Sequence, residues 1–186
     1  MENRNTSILE SKLKRHKISF ISDNGTITIG KSKTDYTILI GLIIFPLSTA
    51  VGITIFLIWD NFDFFGTHRG KIIAGILFLF GTAIFNFTRI VSKKQSNKTL
   101  KTLINRTIKI KNKFGENSFD TNNIKAFTHN IKEINEELYE GTLYLIDSKN
   151  QKHRILGFDD DNEKYVSDDL IWFSEYFKEY TQTTTP

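Results

Sequence analysis

Tyr36 to Trp59 reads Y-T-I-L-I-G-L-I-I-F-P-L-S-T-A-V-G-I-T-I-F-L-I-W, 24 residues without one charge. At about 1.5 Å rise per residue a helix of this length spans about 36 Å, against about 30 Å for the hydrocarbon core of a bilayer. A second run, Ile72 to Val91, is uncharged until Arg89, which lies within a turn of the end, where its stem can snorkel to head groups. A buried core helix explains either run alone. Two runs joined by the polar and aromatic link 60–71 predict a hairpin of transmembrane helices, 36–59 and 72–91. The first 35 residues hold no apolar h-region, and the first run is too long and too late for a cleaved signal peptide.

The averages hide this layout. Mean hydropathy is −0.27 and net charge +4, which would suit an ordinary soluble domain. The chain has no Cys, which removes disulfide staples, zinc ribbons, thioredoxin chemistry and Cys nucleophiles. At 13% aromatic and with no glycine period, it is neither a disordered tail nor a collagen.

Orientation follows from Lys and Arg near the helix ends. Residues 1–35 carry seven, residues 89–113 carry nine and no acid, and the link has only Arg69 and Lys71, offset by Asp60 and Asp63. Both termini are expected on the cytoplasmic side of a multi-pass protein of the cytoplasmic (inner) membrane. Trp59, Phe62, Phe64 and Phe65 then sit at the outer head-group level. Ser48, Gly52, Gly75 and Gly81 are the expected helix-packing positions, Ser48 and Gly52 having the small-xxx-small spacing. Hydroxyls in these helices can bond back to their own turns, and Asn86 is placed to bond a neighbouring helix. No Asp, Glu, Lys or His lies at mid-membrane depth, so proton relays and ion coupling lack their usual groups.

Outside the hairpin the pattern alternates as in strands. Lys17–Ile21 and Thr26–Ile29 flank Ser22-Asp23-Asn24-Gly25, and Asn-Gly is a strong signal for a type I′ hairpin turn. Ile104, Ile108 and Ile110 alternate with polar residues in one expected strand, turning at Asn112-Lys113 into Phe114–Phe119. Ile124–His129, Gly141–Asp147 and Lys152–Phe158 predict three more strands, with a turn at Ser148-Lys149-Asn150-Gln151 between the last two. Ile131–Leu138 suits either a strand connection or a short helix. Ser167 is the expected N-cap of a closing helix, with Asp168 and Asp169 complementing its dipole. Val166, Leu170, Phe173, Phe177 and Tyr180 make its apolar face. The end, 181–186, is expected to fray.

Seven strands closed by one C-terminal amphipathic helix resemble a pleckstrin-homology (PH) barrel. The layout is most similar to the bacterial PH-like membrane proteins of the YcxB-like type, in which a transmembrane hairpin precedes the main part of the domain. Ile124 and Phe127 after a polar turn, Gly141–Ile146, and Leu170 to Phe177 carry the resemblance. It departs at Asp120-Thr121-Asn122-Asn123, where that family often has a Trp ahead of the Ile. The resemblance implies an α+β membrane protein with a cytoplasmic PH-like module and no catalytic residues. Its parts are a basic segment 1–16, a β-hairpin 17–31, the membrane hairpin, and the main part 100–180.

Charge is segregated along the chain. Residues 114–186 carry seven Lys and Arg against fifteen Asp and Glu, whereas residues 1–17 and 89–113 are basic. A nucleic-acid module would place its basic face on the folded domain, so none is expected as partner. Lys12, Lys14, Arg15, Lys17, Arg89, Lys93, Lys94 and Lys98 are instead placed to meet anionic head groups, each contributing about 1 kcal/mol close to the surface. Positive-inside topology alone also accounts for Lys93, Lys94 and Lys98. Residues 1–16 suit either a short basic amphipathic helix, with Ser7 and Glu10 at capping-box spacing, or a disordered tail.

There is no phosphate loop, HExxH, nucleophile elbow or kinase signature. His16, His68, His129 and His153 show no ligand spacing, although His129 and His153 could meet across strands. Asp159-Asp160-Asp161-Asn162-Glu163 lacks the Gly and spaced Glu of a calcium loop. No enzyme, cofactor, metal site or small-molecule substrate is therefore expected. The expected function is a membrane-anchored adaptor or scaffold that binds a protein or a second copy of itself; an anionic-lipid sensor and a small oligomeric channel are the alternatives.

Overall fold

The structure is a computed structural model, which describes residues 2–32, 36–59, 68–112, 115–135 and 138–182. It falls into two units: Met1–Lys33 joined with Lys93–Pro186, and Thr34–Ser92.

The first unit is α+β. Helix α1 (Glu2–Arg15) leads into strands β1 (Ile18–Asp23) and β2 (Thr26–Ser32). After the second unit come β3 (Leu100–Ile104), β4 (Thr107–Asn112), β5 (Gly115–Phe119), β6 (Ile124–Asn135), β7 (Leu138–Asp147) and β8 (Lys152–Asp160). The first five form one antiparallel sheet in sequence order and the last three another. Since β2 pairs with β3, with Ile29 opposite Lys101, the second unit is an insertion between two neighbouring strands of one sheet.

Two turns set the hairpins. Asn24 and Gly25 have φ of 45° and 76°, the positive pair that a type I′ turn needs. Asn105 and Arg106 do the same, with φ of 47° and 60°. This second turn corrects the reading of Ile104–Lys111 as one strand. The chain reverses at Asn105-Arg106, so the described residues form eight strands, not seven. Arg in the left-handed region carries none of the compositional signal that Gly supplies at the first turn.

The segment Ile131–Leu138 continues β6 as strand through Asn135. The final helix, here α4, runs Glu163–Gln182 and begins earlier than Ser167. Asn162 is its cap: its side-chain oxygen accepts from the Lys164 N–H at 2.9 Å, and its carbonyl accepts from Val166 N–H at 3.1 Å. Asp169 is thereby moved out of the first turn and into the buried face, beside Val166, Leu170 and Phe173. Helix α4 packs against all three strands of the second sheet. Gly141 makes the closest approach: a Cβ there would stand 2.6 Å from Val166 Cγ1 and 2.9 Å from Leu170 Cδ1.

Helix α1 is part of the same core. Leu9 and Leu13 are fully buried and join Ile29, Leu103, Leu143 and Phe173 in one apolar cluster. It is neither a frayed tail nor a helix capped at Ser7, because two turns of apolar side chains four residues apart are covered by the sheet and α4.

The second unit holds α2 (Tyr36–Trp59) and α3, which starts within it and runs Arg69–Ser96. Both are long and apolar enough to cross a membrane, with mean hydropathies of 2.4 and 1.7 over their most apolar windows. Leu39–Ile44 is wound as π-helix, and Phe45 N–H bonds Ile40 O, five residues back. The wider turn lies directly before Pro46, whose ring crowds the preceding turn and which has no N–H to give.

Covered positions on α2 are Ile43, Pro46, Ala50 and Leu57; on α3 they include Ala83 and Asn86. At about 100° per residue, Ser48 and Gly52 fall roughly opposite the covered stripe. Ser48, Gly52, Gly75 and Gly81 are all exposed, and a Cβ at any of the three glycines would meet nothing within 4 Å. Among the described residues none of the three glycines stands at a close helix contact within this chain. Ser48, Thr54, Thr82 and Thr88 hydroxyls bond back to their own helices. Asn86 does likewise, its Nδ2 donating to Thr82 O at 2.9 Å, rather than reaching a neighbouring helix. The link aromatics Phe62, Phe64 and Phe65 and the tail 183–186 lie outside the described residues.

Candidate functional site

The strongest polar cluster gathers on one carboxylate. Asp169 is 2% exposed and receives Lys12 Nζ at 2.6 Å, His16 Nε2 at 2.6 Å, and the Arg15 guanidinium. His16 is itself buried and stacks on Phe158 with ring centres 3.8 Å apart. Lys12 also lies 5.2 Å from the centre of the Trp172 ring. Burial pushes the Asp169 carboxyl up, but the hydrogen bonds from His16 and Lys12 and their charges outweigh it, and its pKa is held down to about 2. The cluster fastens α1 to α4, and every donor to it lies in the last turn of α1 or the residue after.

That geometry redistributes the residues expected at lipid head groups. Lys12 and Arg15 turn onto Asp169, and Lys14 pairs with Glu10 at 2.6 Å across one helical turn. Lys17, at φ of 56°, and Lys98 are exposed, and Arg89 is half-buried on α3. The side chains of Lys93 and Lys94 lie outside those described. The sequence reading missed Asp169 and His16 as partners. The available signal was Asp169 recurring with Val166 and Phe173 at helical spacing, inside an otherwise apolar face.

His129 and His153 do not meet, because β7 lies between their strands. His129 is exposed. His153 instead bonds Asp147 Oδ2 at 2.9 Å and lies against the Phe119 ring. The hydrogen bond from His153 holds the Asp147 carboxyl below its usual range, helped by the backbone N–H groups of Gln151 and Lys149. This is hairpin chemistry, closing the β7–β8 turn. In the acidic stretch, burial and a hydrogen bond with Asp161 push the Asp160 carboxyl up. Among the described residues, no three His, Asp or Glu side chains gather as metal ligands.

A groove runs between β6 and α4. Its strand side is Thr121, Ile124 and Phe127, and its helix side is Ser174, Glu175 and Lys178. Among the described residues β6 is an edge strand of its sheet, and α4 packs against it. Thr121 Oγ1 donates to Thr181 O at 2.6 Å, tying the turn before β6 to the end of α4.

No protein-family model, curated protein or solved structure matches the chain. The functional reading therefore rests on these residues alone.

Proposed function

We propose that this chain is a non-enzymatic integral membrane protein, its α2–α3 hairpin crossing the cytoplasmic membrane and its PH-like α+β unit presented to the cytoplasm as an interaction module. One observation carries the reading. Only 17% of the apolar window of α2 and 11% of that of α3 is buried within the chain, so two full-length apolar surfaces call for a non-aqueous solvent. The fold supports the PH-like part by analogy: two antiparallel sheets, with a C-terminal helix packed on the second. The β6 edge beside α4 is the seat for a protein partner, which would add an extended segment to the sheet. The cytoplasmic placement follows the Lys and Arg count at the helix ends.

The absence of Cys makes the test clean. Single substitutions Asn61→Cys and Gln182→Cys are probed in intact cells with an impermeant maleimide. Labelling of Asn61→Cys alone, with Gln182→Cys reacting only after permeabilisation, supports the topology. Recovery of the chain from the soluble fraction would overturn it. For the partner, Ser174→Arg in the groove should abolish stoichiometric co-purification from mild detergent.

A lipid-sensing reading keeps support from the exposure of Lys17 and Lys98. It expects salt-sensitive binding to anionic vesicles that Lys17→Gln with Lys98→Gln weakens; equal binding to neutral vesicles would sink it.

A further inference from the structure

The second sheet has two edge strands among the described residues, β6 and β8. A side chain meets the β8 edge. Asn97, the residue after α3, is fully buried, and its amide holds both backbone groups of Gly157 on β8. Nδ2 donates to Gly157 O at 2.6 Å, and Oδ1 accepts from Gly157 N–H at 3.2 Å, so at that point the amide stands in for a neighbouring strand. Strand β6 is the other edge. At 12 residues it is the longest strand among those described. Alternate residues along such an edge turn their N–H and C=O groups away from the sheet.

An edge guarded against pairing carries a bulge or an inward-pointing charge at mid-strand. The two irregularities of β6 fall at its ends instead, between Ile124 and Ala126 and between Glu133 and Asn135, and leave 126–133 as a regular run. Phe127 stacks on Phe177 of α4 with ring centres 6.2 Å apart, and Ile131 packs on the same apolar cluster. By alternation Phe127, His129, Ile131 and Glu133 share the helix-facing side. Phe127 and Ile131 are half-buried there, while Lys125, His129 and Glu133 are exposed.

We propose that this chain pairs with a second copy of itself through β6, the two strands running antiparallel about a two-fold axis at His129. The pairing rests on the reading of the β6 edge as the seat for a partner, and makes that partner a second copy. A two-fold axis through the joined sheet keeps the helix-facing sides together, so odd-numbered residues of β6 meet odd-numbered ones. The two registers that best overlap the regular runs put the axis at His129 or at Asn130. With the axis at Asn130, Phe127 falls on the copy's Glu133 and His129 on its Ile131, setting apolar side chains against polar ones. With the axis at His129, Phe127 falls on Ile131 and Lys125 on Glu133, each twice by symmetry. Two apolar pairs are then flanked by two opposite-charge pairs. In the single chain Lys125 Nζ donates to Asn150 Oδ1 at 2.6 Å, a neutral acceptor that the Glu133 carboxylate would replace. On the other face Thr128 meets Asn130 and Ala126 meets Lys132, so no like charges are opposed.

The test uses the full-length protein in washed membranes and the single variants His129→Cys and Lys132→Cys, in a chain that has no other Cys. Both positions are exposed, so neither change disturbs the core. Copper phenanthroline supplies the oxidant, and the disulfide-linked dimer is read on non-reducing gels. On the axis, residue 129 stands about 5 Å from its counterpart, within disulfide range, whereas residue 132 stands about 20 Å from its own. Rapid cross-linking of His129→Cys, with Lys132→Cys left at background, is expected. Adding Lys125→Glu to His129→Cys should remove most of the cross-link, and adding Glu133→Lys as well should restore it, which loss of fold would not allow. Equal cross-linking at 129 and 132, none at 129, or no recovery on the double charge exchange overturns the proposal. A single-chain mass in mild detergent, with a foreign protein whose binding Ser174→Arg abolishes, overturns self-pairing and leaves the β6 seat standing. A single-chain mass with nothing bound removes both.

Discussion

At the scale of single residues, two buried charges in the α+β unit have opposite consequences. Asp169 has a depressed folded pKa, so it contributes stability above its unfolded value of 3.8 that is lost as pH falls through about 2. The contribution is about 2 kcal/mol, and it disappears between roughly pH 4 and pH 2. Asp169→Asn should cost about 2–4 kcal/mol at pH 7, read by urea unfolding, since Lys12 and His16 lose a buried partner. Lys101 runs the other way. Its pKa is lowered from 10.5 to about 7, so the unfolded chain holds a proton there that the folded one has lost, and stability rises with pH across that window. Lys101→Met should raise stability at pH 7 by a few kcal/mol and flatten the slope between pH 7 and 10; an unchanged slope would remove the buried amine from the account. Asp169 was legible in part, as a polar residue at an apolar helical position. Lys101 was not, because the strand expected from Ile104 onward left it outside the alternation, although it shares a face with Leu103 two residues on.

Between residues and the whole lie the elements, where cap and turn chemistry decided boundaries that hydrophobic period left open. Asn162 and Ser167 are both acceptable caps by type, and the apolar face from Val166 onward suits either start. The hydrogen bond from Lys164 N–H picks Asn162. Asn162→Ala should therefore cost about 1 kcal/mol, while Ser167→Ala changes stability by a few tenths at most; the reverse ranking in denaturant melts would restore the later start. Asn105-Arg106 is the same lesson in a turn. Read as one strand, Ile104 falls on the face of Ile108 and Ile110; with the reversal Ile104 stands opposite Thr107, and Leu103 opposite Ile108 takes the buried face, so the period alone counted one strand where two pair. Gly141 carries a third element-scale consequence. Gly141→Ala drives a methyl to 2.6 Å from Val166 and should destabilise by about 1–3 kcal/mol through displacement of α4, measurable as a lower unfolding midpoint.

For the molecule as a whole, the membrane-ready helices are an insertion between β2 and β3, and the pairing of Ile27 with Leu103 and Ile29 with Lys101 stands on either side of them. Replacing 34–92 by a short flexible linker should leave a water-soluble α+β unit with its cooperative unfolding intact, since the two strands would be joined as an ordinary hairpin. Aggregation or loss of cooperativity would show that the unit depends on its helices. By itself the sequence determined the two apolar helices, the I′ turn at Asn24-Gly25, the last helix's apolar face and the segregation of basic from acidic segments, because each is a local property of length, period or charge. Only the tertiary structure decided that α1 belongs to the core, that Lys12 and Arg15 meet Asp169, that Ser48 and Gly52 face away from the covered stripe, and that Asn97 closes the β8 edge. Those facts join residues 60 to 157 positions apart or depend on which side of a helix is covered. A local pattern specifies the face a side chain takes, and the rest of the chain specifies what stands opposite it.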